Sequence, residues 1–228
     1  MKKIFTLIAI AMMAVGAQAQ KIAFTEEDKA AKGTLDGKVF SNGDFAITVT
    51  DTDGKVELDA NAQWFGTAET QEKSAGGRLK SGGKSSSKNN IVAKAPTAGT
   101  LKIWARTGSN SATDRNIVVT QEETELYNAI VEEALAVKVK GLDEADPEKE
   151  TNVYPIISVE VKAGDVAITY PVGSMNFYAF EFVAGGSASV KSINTEVQSG
   201  AVYNMAGQQV NTQYKGLVIK NGKKMMNK

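Results

Sequence analysis

Alternation of apolar and polar residues, interrupted every few positions by turn formers, constrains this chain more than any other feature. From Lys55 to Phe65, Val56, Leu58, Ala60, Ala62 and Trp64 fall on one face, and Glu57, Asp59, Asn61 and Gln63 fall on the other. A period of two marks a half-buried strand, because successive side chains leave opposite faces of an extended backbone. Asp51-Thr52-Asp53-Gly54 reads as a hairpin turn leading into that run from a strand at Asp44–Thr50. A second hairpin is read from Val153 to Tyr170. Val153, Ile157, Val159 and Val161 face one way, Lys162–Asp165 turns the chain, and Val166, Ile168 and Tyr170 return it. Asn90–Lys94, Thr100–Thr107, Arg115–Gln121, Leu135–Lys140 and Asn176–Val183 supply further strands. Many short strands with turns between them predict an all-β fold, an antiparallel β-sandwich of two packed sheets.

Three stretches depart from the alternation. Gly76 to Asn90 is rich in Gly, Ser, Lys and Asn and reads as a loop, or a short strand flanked by loops. Its basic group, Arg78, Lys80, Lys84 and Lys88, reads as solvated. Leu126, Ile130 and Ala134, with Tyr127, Val131 and Leu135, repeat at four and predict one short helix or an irregular crossover. The acidic run Asp143 to Glu150, broken by Pro147, reads as a solvent-facing loop.

The ends have a different character. Lys2 and Lys3 precede an apolar run from Ile4 to Val15, and Ala17 and Ala19 then stand two apart. Positive residues, an apolar core and a small-residue cleavage site make a secretory signal, cut after Ala19. The run is shorter than the roughly 20 residues of a spanning helix, so no membrane span is expected. The mature chain is expected in the periplasm, on the outer cell surface or outside the cell. Residues 20–184 form the sandwich domain, 185–198 a linker beginning with Gly185–Ser189, and 199–228 a small C-terminal β unit. In that unit Leu217 and Ile219 lead through Asn221-Gly222 to Lys223 and Met225, a hairpin pattern. Some 30 residues hold no stable core alone, so the unit docks or serves as a signal.

Composition then removes whole classes of chemistry. There is no cysteine, hence no disulfide and no lipid-bearing cysteine at the cleavage point. There is no histidine, which removes Ser-His-Asp and Cys-His catalysis and most zinc sites. Charge is balanced at 26 basic and 26 acidic residues, and without Lys2 and Lys3 the balance is 24 against 26. No one-sided basic field for nucleic acid is present.

Several segments resemble known families. Val202-Tyr203-Asn204-Met205, Gly207-Gln208-Gln209-Val210, Lys215-Gly216-Leu217 and Asn221-Gly222-Lys223-Lys224 are similar to C-terminal domains of exported Bacteroidetes proteins, some sorted by type IX secretion. The match covers about the last 30 residues and lacks the proline-containing lead-in of the full sorting domain. It implies export machinery as a partner. Arg78-Leu79-Lys80 with Gly82-Gly83, Ala98 through Ile103, Asp114-Arg115 and Gly173 through Tyr178 resemble β-sandwich domains that stand beside polysaccharide lyases in Bacteroidetes. That resemblance spans Asp44 to Val183 and implies a jelly-roll-like sandwich of the carbohydrate-binding kind, with polysaccharide or glycan as partner.

A sugar site of this kind needs an exposed aromatic ring. Leu101, Ile103 and Ala105 share the apolar face of their strand, which places Trp104 with Lys102 and Arg106 on the polar one. Either that indole is open to a ligand, or a loop or the C-terminal unit covers it. Tyr154 aligns with Ser158, Glu160 and Lys162 as a second platform candidate. Trp64 aligns with Val56 and Leu58, and Tyr178 with Phe180 and Phe182, so both read as core. Other motifs close off. In Gly77 to Ser85 the phosphate-loop lysine would fall at Gly83, and Ser81-x-x-Lys84 lacks the companion motifs of β-lactam-binding enzymes. Asp51, Asp53 and Gly54 begin like a calcium loop, but Ala62 stands at the twelfth position. No cofactor or metal is implied. The expectation is a non-catalytic glycan-binding module. A structural or adhesive protein is the alternative, and a glycan-degrading enzyme with paired carboxylates is a third reading.

Overall fold

Turn residues bracket the alternating runs, and the runs become strands. The computed structural model describes residues 19–185, together with 202–204, 209–210, 216–220 and 223–227. The signal sequence, the linker and the Asn221-Gly222 turn therefore lie outside the described residues, apart from Ala19 and Gly185. The strands, in order, are β1 (Ala19–Ala23), β2 (Val39–Asn42), β3 (Phe45–Asp51), β4 (Glu57–Ala60), β5 (Trp64–Gly66), β6 (Gln71–Lys73), β7 (Gly77–Lys80) and β8 (Asn89–Ala95). They continue as β9 (Gly99–Thr107), β10 (Asn116–Gln121), β11 (Thr124–Ile130), β12 (Val137–Val139), β13 (Thr151–Tyr154), β14 (Ile157–Val161), β15 (Gly164–Thr169) and β16 (Met175–Ala184).

Within residues 19–185 these strands form three sheets. The first runs β14-β9-β16-β7-β4, with β1 pairing β16 beyond β7. The second runs β11-β10-β15-β8-β3-β2, and the third, smaller, runs β12-β13-β5-β6. Pairing is antiparallel except between β13 and β5. The fold is thus the all-β antiparallel sandwich the sequence predicts, with a third sheet added. The main core lies between the first two sheets, where Phe45, Ile47, Ile91 and Ile168 meet Leu101, Ile103, Phe177, Phe180 and Phe182. Phe45 and Phe182 stack across it at 5.9 Å. A separate aromatic cluster of Phe65, Trp104, Tyr154, Tyr178 and Ala179 joins the opposite face of the first sheet to the third.

Both predicted hairpins are instead changes of sheet. The Asp51–Gly54 turn forms: the Gly54 N–H donates to the Asp51 carbonyl at 3.0 Å, and Asp51 Oδ1 accepts from the amides of Lys55 and Val56. But β3 pairs with β2 and β8, while β4 pairs with β7 in the other sheet. The segment from Val153 to Tyr170 likewise supplies one strand to each sheet, with β14 on β9 and β15 between β10 and β8. Strands that point apolar residues into one core can lie side by side or face each other across it. Parity alone does not separate these arrangements.

The helix expected around Leu126–Leu135 is strand β11 followed by a single 3₁₀ turn at Glu133–Leu135. Tyr127 and Ala129 lie opposite Val119 and Ile117, so the residues were alternating, and the apparent repeat of four came from exposed Leu126 and Ile130. The Gly76–Asn90 stretch contains β7, an inner strand flanked by β16 and β4. A side chain at Gly77 would meet the Thr25 carbonyl at 2.2 Å, so glycine is what lets the backbones approach. Arg78 and Lys80 are not free: Arg78 grips both oxygens of Asp59 at 2.7 and 3.0 Å, and Lys80 pairs with Glu57 and Asp59. Burial pushes the Asp59 carboxyl up, but the Arg78 guanidinium and then the Lys80 ammonium outweigh it and hold the carboxyl below its ordinary range.

The chain divides into two compact units at Gly186 and Ser187. In the second, β17 (Val202–Asn204), β18 (Gln209–Val210), β19 (Gly216–Lys220) and β20 (Lys223–Asn227) form a sheet in the order β18-β17-β19-β20. The β19–β20 hairpin pairs Lys220 with Lys223.

Candidate ligand-binding cleft

Two adjacent aromatic residues on one strand must leave it on opposite faces. In β5, Phe65 is fully buried against Tyr178, with ring centroids 5.1 Å apart, and against Tyr154 at 5.9 Å. Trp64 therefore points away, to the outer face of the third sheet, and is half-buried. Opposite it across the β5–β6 pair stands Lys73, whose Nζ lies 5.9 Å from an indole ring centre. Beside them an open cleft of about 850 Å³ lies against the paired strands β5 and β13, lined by Gln63, Trp64, Lys73, Thr151, Asn152 and Tyr154 on the sheet side.

The far wall is the loop from Gly141 to Glu150, which is solvent-facing as predicted but internally braced. The Gly141 N–H donates to the Pro147 carbonyl at 2.9 Å. Lys149 Nζ bonds Asp143 Oδ2 at 2.7 Å, and the Ala145 amide donates to Asp143 Oδ1. The Lys149 hydrogen bond, chiefly, holds the Asp143 carboxyl below the usual carboxylate range and raises Lys149 in return. On the sheet side, Gln63 Nε2 donates to Asn61 Oδ1, which also accepts the Tyr178 hydroxyl at 2.9 Å. The cleft thus offers an indole, amides, a hydroxyl and an ammonium on a rigid sheet, opposite a fixed polar loop.

Of the residues expected to form the site, Tyr154 lines this cleft, whereas Trp104, Lys102 and Arg106 lie away from it. Trp104 is only 3% exposed: of the two alternatives for this indole, open or covered, it is covered, and the third sheet is what covers that face of β9. Its Nε1 donates to Glu72, and Lys21 sits over the ring at 4.0 Å while pairing with Glu72 at 3.1 Å. Lys102 is committed to Glu181 at 2.9 Å. Arg106 is largely buried, with its guanidinium 5.1 Å from the Tyr154 ring and Nη2 on Glu133 at 3.2 Å. Tyr154, 3% exposed, donates to the same Glu133 at 2.5 Å, and Asn152 Nδ2 joins at 3.0 Å. Burial first, then the Glu133 carboxylate, pushes the Tyr154 phenol up to about 12. The structure brings Trp104 and Tyr154 into one aromatic cluster and seats Arg106 on Tyr154. Neither ring is an open platform, and these residues instead hold the third sheet to the first.

Trp64 was missed because parity was carried from Val56 across Asn61 to Gln63. The chain leaves β4 at Ala60 and enters a different sheet at Trp64, which resets the faces. Tyr178 is buried as expected but in the other cluster. β16 carries a bulge that pairs Phe177 with Ala105 and Ala179 with Trp104, leaving Tyr178 between them. The turn reading of Asp51–Gly54 agrees with the amides that Asp51 accepts. Among the described residues, no three or more His, Cys, Asp or Glu side chains group as metal ligands.

No protein family and no curated protein matches the chain. Among solved structures it is similar to one described under the expansion of glycan recognition in the Ruminococcus flavefaciens cellulosome, at 16% identity and a TM-score of 0.36, covering 74% of this chain and 96% of that one. It is also similar to the K1 cleaved adhesin domain of Lys-gingipain from Porphyromonas gingivalis, at 10% identity and a TM-score of 0.38, covering 73% and 99%. Similarity at this level assigns neither a family nor a function.

Proposed function

We propose that this is an exported, non-catalytic β-sandwich module that binds a polysaccharide or glycan in the cleft beside Trp64. The observation that carries the reading is the half-buried indole that lines an open polar cleft, with Lys73, Gln63, Thr151 and Asn152 around it. An indole gives a flat apolar surface to the C–H face of a pyranose ring, and neighbouring amides and ammonium groups bond its hydroxyls. A braced loop and a sheet packed from behind reduce the ordering cost of binding. The lack of histidine and cysteine supports a binding role over a catalytic one. Export is supported by Lys2-Lys3, the apolar run to Val15 and the Ala17-x-Ala19 pair, and the C-terminal unit is proposed as a sorting signal on its motif resemblance.

A screen of residues 20–228 against plant and host polysaccharides tests the reading, with Trp64→Ala in parallel. The expected result is binding that the variant weakens at least tenfold, or about 1.4 kcal/mol. A panel that leaves the wild-type chain unbound contradicts it. An adhesive role is the second reading, favoured by Leu126, Ile130 and Leu135, which are 37%, 49% and 46% exposed along one edge of the sandwich. It predicts self-association, or a protein partner, lost on Ile130→Lys.

A further inference from the structure

We propose that the groove between β11 and β14 binds an extended, basic peptide segment of a partner protein, which joins the first sheet beyond β14. The inference deepens the adhesive reading and is independent of the cleft beside Trp64.

β11 and β14 are the end strands of their sheets, paired on one side only, to β10 and to β9. They approach each other along one side of the sandwich, and two cavities follow one another between them. The first, of about 130 Å³, is lined by Ala105, Tyr127, Val131, Leu135 and Ile157. The second, of about 350 Å³, is lined by Thr124, Leu126, Glu160 and Val161. An unpaired strand edge beside such pockets suits strand addition: main-chain hydrogen bonds hold the incoming segment, and its alternate side chains enter the pockets.

The two edges are not equal. In β11, Leu126 has no residue opposite it in β10, and a bulge of this kind twists an edge away from a new partner. β14 alternates without a break, with Ile157, Val159 and Val161 buried and Ser158 and Glu160 exposed, in unshifted register with β9. It is therefore the edge that accepts a strand. Alternate side chains of the added strand then lie beside Ile157, Val159 and Val161, and the others beside Ser158 and Glu160. The smaller cavity is close to the roughly 150 Å³ that takes up benzene, so it seats one phenylalanine or leucine side chain.

Charge selects the rest of the ligand. Glu122, Glu132 and Glu160 line the groove against one cation among its described residues, Lys162, which lies 3.9 Å from Glu122. A second copy of the chain would bring two such acidic rims together. Lysine or arginine between the apolar positions of a partner meets the rim with opposite charge.

The test peptide is a capped heptamer that alternates lysine with valine about a central phenylalanine, titrated by calorimetry into the mature chain, residues 20–228. Saturable binding is expected, at least tenfold tighter than that of the same peptide with glutamate for lysine, or of one with its lysines gathered in a block. Ile130→Lys should weaken it tenfold or more, as should Glu122→Gln, Glu132→Gln and Glu160→Gln combined, whereas Trp64→Ala should leave it unchanged. Absent binding, or equal affinity for the three peptides, overturns the proposal whether or not the variants fold. A chain that instead dimerises in sedimentation, and is made monomeric by Ile130→Lys, overturns the peptide assignment and leaves the adhesive reading standing. A monomeric chain that binds none of the peptides removes both.

Discussion

An indole serves a sugar only if one of its faces can be reached, and the two tryptophans of this chain divide along that line. Trp64 lines the cleft, whereas Trp104 is packed between two sheets and only 3% exposed. Trp104→Ala should therefore act on stability, with a loss of about 3–5 kcal/mol from the cavity it opens, measured by denaturant unfolding. Trp64→Ala should leave the unfolding midpoint within about 0.5 kcal/mol of wild type and act on binding. Tyr154 gives a pH signature. Its folded-state pKa is raised to about 12 from the ordinary value of 10.0. The unfolded chain thus loses this proton first as pH rises. The contribution is whole below pH 10 and is lost as pH climbs through about 12. Tyr170 and Tyr178 are raised in the same direction by burial. Stability should fall steeply above pH 10, and Tyr154→Phe should flatten that fall in urea titrations across this range. Much at this scale was legible: Leu101, Ile103 and Ala105 were placed on the core face, and Trp104, Lys102 and Arg106 on the other. Parity gives the face a residue leaves by, not what covers that face, and so an open and a covered Trp104 both stayed possible.

Among the elements, turns were easier to find than partners. Asp51–Gly54 and Lys162–Asp165 do turn the chain, yet each connects strands of different sheets. The β10–β11 connection, by contrast, is a true two-residue hairpin that its sequence conceals. Glu122 and Glu123 both adopt positive φ, at 50° and 65°, a conformation suited to Asn-Gly and costly for glutamate. Replacing Glu122-Glu123 by Asn-Gly should stabilise the domain by about 1–2 kcal/mol, read as a rise in the urea midpoint at unchanged slope. The Gly141–Glu150 loop was legible as exposed from its charge, but its braces were not, since Lys149 reaches Asp143 only once Pro147 and Gly141 close the loop. Asp143, with its pKa depressed, keeps that brace above the ordinary carboxylate range and loses it as pH falls through its own lowered value. Lys149→Met should weaken binding without moving the unfolding midpoint.

At the scale of the molecule, the added third sheet explains both what was predicted and what was not. It buries β9 and β16 on both faces, which is why Met175 through Phe182 reads as an almost unbroken apolar run with six consecutive buried residues at its start. It also carries the cleft outward on its far face. The strands that build it, β5, β6, β12 and β13, have four residues or fewer. Their alternation is too short to declare a sheet, and β5 and β13 meet in parallel across a long separation in sequence. The proposed site lies wholly within the first unit, so a chain ending at Gly186 should bind as the full mature chain does.

With only two tryptophans, fluorescence can observe the proposed site alone. In a Trp104→Phe background Trp64 is the sole indole, and in a Trp64→Phe background Trp104 is. Titrating both with the oligosaccharide of whichever polysaccharide binds gives the most direct test. Saturable change in Trp64 emission, with Trp104 emission silent, is the predicted result. Binding by calorimetry that leaves Trp64 emission unchanged would contradict the cleft as the site.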